Sequence, residues 1–257
     1  MDLSVPLLSG DHDVNNDING LITRLSPSHP VHILDTRRLA TTAREFKSLF
    51  RGTVMYAVKC NPTKDVIKTL AKSGIKTFDA ASIEEVRLIR RLVPTAKIHF
   101  MHTVKSREAI REAYFTHGVR VFVCDCQDEL HKILAETDLA LDLHLFIRLA
   151  LPRNTQAAYD FSVKFGAVPQ VAVALLREAR LVAQHVGVMF HVGSQSTSVD
   201  AFRQGILCAA NVINESGVSV DSLDVGGGFP VAYPSQTVPP LTEFLTTIHQ
   251  AIDGYRS

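Results

Sequence analysis

The sequence of 257 residues has no tryptophan, five tyrosines and four cysteines. No run of about 18 apolar residues occurs, so no segment reads as a helix crossing a bilayer. The opening MDLSVPLLSGDHD has no basic residue ahead of its short apolar run and does not read as a secretory leader. Cys60, Cys124, Cys126 and Cys208 form no CxxC pair and are too sparse for a disulfide scaffold; reduced thiols and a cytoplasmic location are the expectation. Charge excess is missing too. Lys plus Arg number 27 against 26 Asp plus Glu, a formal +1, which provides no electrostatic attraction to nucleic acid or an anionic membrane. No internal repeat, low-complexity tract or GxGxxG fingerprint is present.

What is present is an ordinary globular composition, 46% apolar and 21% charged. The length suits one large α/β domain or two small ones, with roughly three quarters of the extended-chain surface buried on folding. Residues 1–30 are polar and rich in Asn, Asp, Ser and Gly, and read as a flexible lead-in, with residues 31–257 as the folded domain. Val31–Leu34 reads as a short strand and Thr36 caps a helix to Phe50. From there short apolar runs alternate with amphipathic segments. Strands are predicted at 54–58, 75–78, 97–101, 119–123, 143–149, 188–191 and 222–225. Helices are predicted at 63–73, 82–92, 106–117, 128–136, 170–185, 198–215 and 242–252. Ser82 with Glu85 forms a capping box. Such strict alternation predicts a parallel sheet, either open and doubly wound or closed as a barrel. The count from Val54 is seven strand–helix units, one short of the eight of a closed (β/α)8 TIM-type barrel.

In a barrel, chemistry sits at the C-terminal ends of the strands. Those ends carry Lys59, Asp79, Met101-His102, Asp125, Arg148, His191–Ser194 and Gly226–Gly228. A lone lysine at a strand end is usually a solvated cap. Lys59 instead ends the most apolar predicted strand, where partial desolvation would lower its pKa and suit it to a Schiff base with a carbonyl cofactor. Gly226-Gly227-Gly228 follows a strand, so its backbone N–H groups could converge on a phosphate; the bland alternative is a flexible turn. His191 reads either as a core histidine or as a site residue, with Gly193 and Ser194 adding a close backbone approach and a hydroxyl. Arg148 and Asp79 are equally consistent with rim ion pairs. No His or Cys spacing suits a metal. Cys124 and Cys126 read as packing.

Taken together these segments resemble a known family. Tyr56-Ala57-Val58-Lys59-Cys60-Asn61, Phe78-Asp79-Ala80-Ala81-Ser82, Ser162-Val163-Lys164-Phe165-Gly166, His191-Val192-Gly193-Ser194-Gln195 and Asp224–Pro230 follow in the order found in ornithine-decarboxylase-like enzymes. These are the ornithine, lysine, arginine and diaminopimelate decarboxylases of pyridoxal-phosphate fold type III. The resemblance implies an alanine-racemase-like barrel followed by a β-domain. It implies that Lys59 carries pyridoxal 5'-phosphate, that His191 stacks on the ring, and that Ser194 with Gly226, Gly227 and Gly228 holds the phosphate. It further implies that Asp79 and Arg148 line the cofactor, that Lys164 lies near a homodimer contact, and that Val31–Leu34 would join the β-domain sheet. The implied reaction is decarboxylation of a basic amino acid, ornithine to putrescine before the others. Departures accompany the match: the family's eighth-strand Glu-Pro-Gly-Arg motif and its β-domain do not occur in these residues. The expectation is therefore an incomplete barrel, truncated before the eighth strand and marginally stable alone. A non-catalytic decarboxylase-like binder or regulator is the alternative.

Overall fold

The computed structural model describes residues 14–153, 155–159, 164–234 and 236–256. The chain divides into two units, Met1–Asp35 and Thr36–Ser257. In the first, the expected loose lead-in contains a helix, α1 (Val14–Leu25). Its Val14, Ile18, Leu21, Ile22 and Leu25 recur at helical spacing, a pattern obscured by the polar composition of the segment. Val31–Leu34, expected as a strand, forms no strand and pairs with none among the described residues.

The second unit begins with α2 (Thr36–Leu49) and continues through β1 (Met55–Ala57), α3 (Lys64–Lys72), β2 (Thr77–Ala80), α4 (Ile83–Leu92), β3 (Lys97–Phe100) and α5 (Arg107–Phe115). It goes on through β4 (Val121–Cys124), α6 (Gln127–Glu136), β5 (His144–Arg148), α7 (Pro169–Val182), β6 (His185–Met189), α8 (Val199–Ser216), β7 (Ser222–Asp224) and α9 (Leu241–Arg256). The seven strands are parallel and lie side by side in chain order. They curl into the wall of a barrel rather than an open doubly wound sheet, the two arrangements the alternation allowed. No helix among the described residues is long and apolar enough to cross a membrane.

Strand alternation sends the two side-chain sets in opposite directions. Phe78, Ile98, Phe100, Phe122, Leu145, Ile147, Val186 and Val188 face the helices and join the main core. Met101, Val121, Val123, Phe146 and Met189 face inward as a separate small cluster. Gly187 belongs to this inner face: a Cβ there would stand 2.4 Å from the Phe146 ring, so only glycine leaves room for it. Several strand bounds shift from the sequence reading because register, not hydrophobicity, sets them. Asp79 lies inside β2 opposite His99, and His185 opens β6 opposite His144 although it was expected to close a helix.

The ring of helices is joined by α2, the helix ahead of β1. Phe50 stacks on His249 of α9, with centroids 5.8 Å apart. The Arg51 N–H donates to His249 Nε2 at 3.2 Å and its guanidinium pairs with Asp253 at 2.7 Å. Phe229, just after the glycine run, packs against Phe202 at 4.8 Å, Phe46 at 5.4 Å and Phe244 at 5.9 Å. β1 and β7 each pair with a single neighbouring strand among the described residues.

Candidate active site

Lys59 does not stand at a strand end. β1 stops at Ala57, and Lys59 occupies a single 3-10 turn, Val58–Cys60, anchored by fully buried Val58. The Tyr56 hydroxyl donates to the Asn61 carbonyl at 3.2 Å and the Asn61 side chain accepts from Thr63 N–H at 3.0 Å, which fixes the turn from both sides. The lysine is exposed rather than partly desolvated as expected, because its strand lies at the edge of the sheet and is only half-buried.

Asp79 faces inward from β2, directly paired with Ala57 of β1. Its Oδ1 is buried with no hydrogen-bond partner among the described residues. Burial pushes its carboxyl up to about 6; Lys59 and Arg148 act downward, Asp224 and Glu85 upward. Glu85 owes its place to the capping box: Ser82 Oγ accepts from Glu85 N–H at 3.3 Å, and the Glu85 carboxylate accepts from Ala81 N–H at 2.7 Å.

Arg148 ends β5. Burial draws its pKa down, and Asp125, Asp79 and Asp224 oppose that. The guanidinium lies 5.0 Å from the centre of the Phe165 ring, and Lys164 Nζ is 5.1 Å from the same centre. The long loop after β5 brings Phe165 there by pairing Ala167 beside Leu149 and by donating Gly166 N–H to Asp125 Oδ2 at 2.9 Å. Ser162 and Val163 of this segment lie outside the described residues.

His191 follows β6. Its Nδ1 accepts the Gly193 N–H at 3.0 Å, which assigns the proton of the neutral ring to Nε2. Burial, then Arg148 and Lys59, pushes its pKa down to about 4, so the ring is uncharged near neutral pH.

The glycine run divides its labour. Gly226 has φ +70° and its N–H is engaged by Asp224 Oδ1 at 2.8 Å. Gly228 has φ +95° and its carbonyl accepts from Ser196 N–H at 2.9 Å. A Cβ on Gly226 would lie 2.2 Å from Phe190 O, and one on Gly228 would lie 1.9 Å from Gly193 O. These two glycines therefore let the β7 turn pack backbone-to-backbone on the turn after β6. Gly227 alone faces open space, with only His191 Nε2 near, at 3.9 Å. The Gly227 and Gly228 N–H groups make no hydrogen bond among the described residues. The Ser194 N–H donates to Tyr159 O at 2.9 Å, leaving its hydroxyl for a ligand. Gln195, at φ +53°, uses its side-chain amide like a strand partner: Oε1 accepts from Val231 N–H at 2.8 Å and Nε2 donates to Val231 O at 3.1 Å. That clamp was not read from the sequence. Cys124 is buried as packing, but Cys126 is exposed, a correction to its reading as packing, because it sits at the N-cap of α6 and not in a strand. Among the described residues no cluster of three or more His, Cys, Asp or Glu side chains could hold a metal.

The residues fit pyridoxal phosphate on these observations: an accessible amine, an orphaned buried carboxylate oxygen, a neutral imidazole, and free N–H and hydroxyl donors on adjoining turns. The wall of parallel strands with this set at its C-terminal mouth defines a pyridoxal-phosphate-binding α/β barrel of fold type III. Residues 36–257 match the family model for the pyridoxal-binding domain of pyridoxal-dependent decarboxylases, and the chain belongs to that family.

Its relatives include a lysine/ornithine decarboxylase of Selenomonas ruminantium, 33% identical over 212 residues, covering 80% of this chain and 52% of the relative. The ornithine decarboxylase of Mus musculus is 35% identical over 217 residues, covering 82% and 45%. Among solved structures, the lysine/ornithine decarboxylase of Vibrio vulnificus complexed with putrescine superposes with a TM-score of 0.79 at 30% identity, over 93% of this chain and 63% of that one. The chain thus spans about half the length of the curated relatives it matches.

Proposed function

We propose that this chain is the cofactor-binding barrel of a decarboxylase of basic amino acids, acting on ornithine to give putrescine, within a homodimer. The observation that supports the reading is that Lys59 and Arg148 act electrostatically on both Asp79 and His191, toward the C-terminal ends of β2 and β6. Lys59 supplies the amine that holds the cofactor carbonyl. Gly227 and Gly228 N–H groups and the Ser194 hydroxyl take the phosphate. Arg148 offsets the buried charge of Asp79 and Asp224. Neutral His191 provides a flat wall that repels neither the ring nor a substrate ammonium. When bound, pyridoxal phosphate supplies an electron sink for the carbanion left as the carboxylate departs as CO2. The wording Val58-Lys59-Cys60-Asn61 favours ornithine over arginine or diaminopimelate.

Incubation with pyridoxal phosphate should produce a yellow protein, and borohydride should fix the cofactor irreversibly on Lys59, located by peptide mass. Lys59→Ala should abolish both. Equal colour and equal borohydride labelling in Lys59→Ala would sink the assignment. Release of CO2 and putrescine from ornithine, compared with lysine and arginine, tests the substrate choice.

A further inference from the structure

Lys105 plays no part in the site described so far. It lies in the loop between β3 and α5 with none of its side chain exposed. Its Nζ donates to the His102 carbonyl at 2.8 Å and to the Val123 carbonyl at 2.7 Å, and stands 2.8 Å from Glu129 Oε1. Two carbonyls accept protons of the ammonium, and the Glu129 carboxylate faces it as an ion pair. The other Glu129 oxygen pairs with Lys132 at 2.6 Å. Buried pairs of this kind are often no more stabilising than apolar residues of the same size, so stability alone does not account for this one. What the ammonium does geometrically is tie the β3–α5 loop to the end of β4 and to α6.

The residue held by that tie is His102. It stands just past β3 at the barrel mouth, half-buried, with its ring edge-on to Phe165 at 5.5 Å. Phe165 in turn carries the Arg148 guanidinium. His102 Nδ1 accepts the Val104 N–H at 3.0 Å, so the neutral ring bears its proton on Nε2. Burial lowers its pKa, and Lys105, Lys59 and Arg148 act in the same direction. Nε2 has no hydrogen-bond partner among the described residues. The phosphate donors lie on the turns after β6 and β7, while β3 is several strands away around the wall, so His102 borders the opposite end of the mouth. A donor set among cations suits an anionic oxygen and repels an ammonium.

We propose that His102 contacts a carboxylate oxygen of the amino-acid substrate, and that Lys105 is the positioning residue that sets it there. The inference rests on the decarboxylase reading. Its test compares two ligands that differ in the carboxylate: L-ornithine and putrescine, titrated into the cofactor-loaded protein and followed by cofactor absorbance. His102→Ala should weaken ornithine about tenfold, as the loss of one hydrogen bond to a charged group does, and leave putrescine and pyridoxal phosphate affinity unchanged. Lys105→Met should reproduce that selective loss, and the double variant should add little to either. Lys105→Met with Glu129→Leu should restore the wild-type melting temperature while keeping the ornithine defect, which a merely structural role would not do. Equal weakening of both ligands by His102→Ala, or no weakening, overturns the proposal while the decarboxylase reading stands. A wild-type protein that takes up no cofactor, or responds to neither ligand, overturns both.

Discussion

The three consecutive glycines show how much one atom decides. At Gly228 an added Cβ meets the Gly193 carbonyl at 1.9 Å, in a backbone region where L side chains are strained. At Gly227 the same atom meets nothing closer than 3.9 Å. Gly228→Ala should therefore lower thermal stability by about 2 kcal/mol or more. Gly227→Ala should melt within about 0.5 kcal/mol of wild type yet weaken pyridoxal phosphate, because its methyl enters the space the phosphate needs. Scanning calorimetry and cofactor titration separate the two, and equal melting of both variants would contradict this division. The glycine run was legible in the sequence because a strand precedes it, and Asp79, Arg148 and His191 were legible because strand ends carry the chemistry of a barrel. Which glycine packs and which faces open space was not legible, since that depends on the neighbouring turn at Phe190–Gly193. Lys105 and Glu129 were silent for a related reason. Charged residues flanking helix N-caps ordinarily lie in solvent, and only the meeting of the β3–α5 loop with α6 buries these two.

Among the elements, the seam of α2, α8 and α9 depends on Phe229. This half-buried ring touches Phe46, Phe202 and Phe244, which come from the three helices. Phe229→Ala should cost about 2–3 kcal/mol, less than a fully buried phenylalanine, and should also loosen the glycine turn beside it. Denaturant unfolding measures the first effect and cofactor affinity the second; an unchanged midpoint would remove the seam from the account. Element order and type followed from periodicity, and the capping serines at 82, 106 and 198 mark their helix starts correctly, each accepting a backbone N–H. Bounds failed where inward-facing positions are polar or glycine. His185 and Gly187 broke the apolar run used to place β6, although the first pairs beside His144 and the second makes room for Phe146. Helix α1 was hidden for the opposite reason, a helical stripe diluted by polar residues.

For the whole molecule, two inward-facing histidines set the response to acid. Burial lowers His99 and His191 from 6.5 to about 4. Each is neutral when folded and protonated when unfolded within that window, so each contributes stability that is lost as pH falls from about 6.5 to about 4, up to roughly 3 kcal/mol apiece. Asp79, raised from 3.8 to about 6, works the other way: its buried charge penalises the fold above about 6, and protonation relieves that penalty on the way down. His102, His144 and His249 are lowered in the same sense and buried Asp224 is raised like Asp79, so the histidines outnumber the acids and acidification destabilises the fold on balance. Melting temperature should fall between about pH 7 and pH 4.5, and His99→Leu should flatten the slope without touching the mouth of the barrel. A melting temperature that is level or rises over that interval would refute the balance. The same molecule also has an order of assembly written into it. Each strand pairs only with its sequence neighbours, so strand–helix units can dock in chain order through local contacts. The Arg51–Asp253 contact joins residues 202 positions apart and must wait for all of them. In kinetic terms the turn at Phe50-Arg51 is a latch, whose contacts to His249 and Asp253 close only after the last helix is in place.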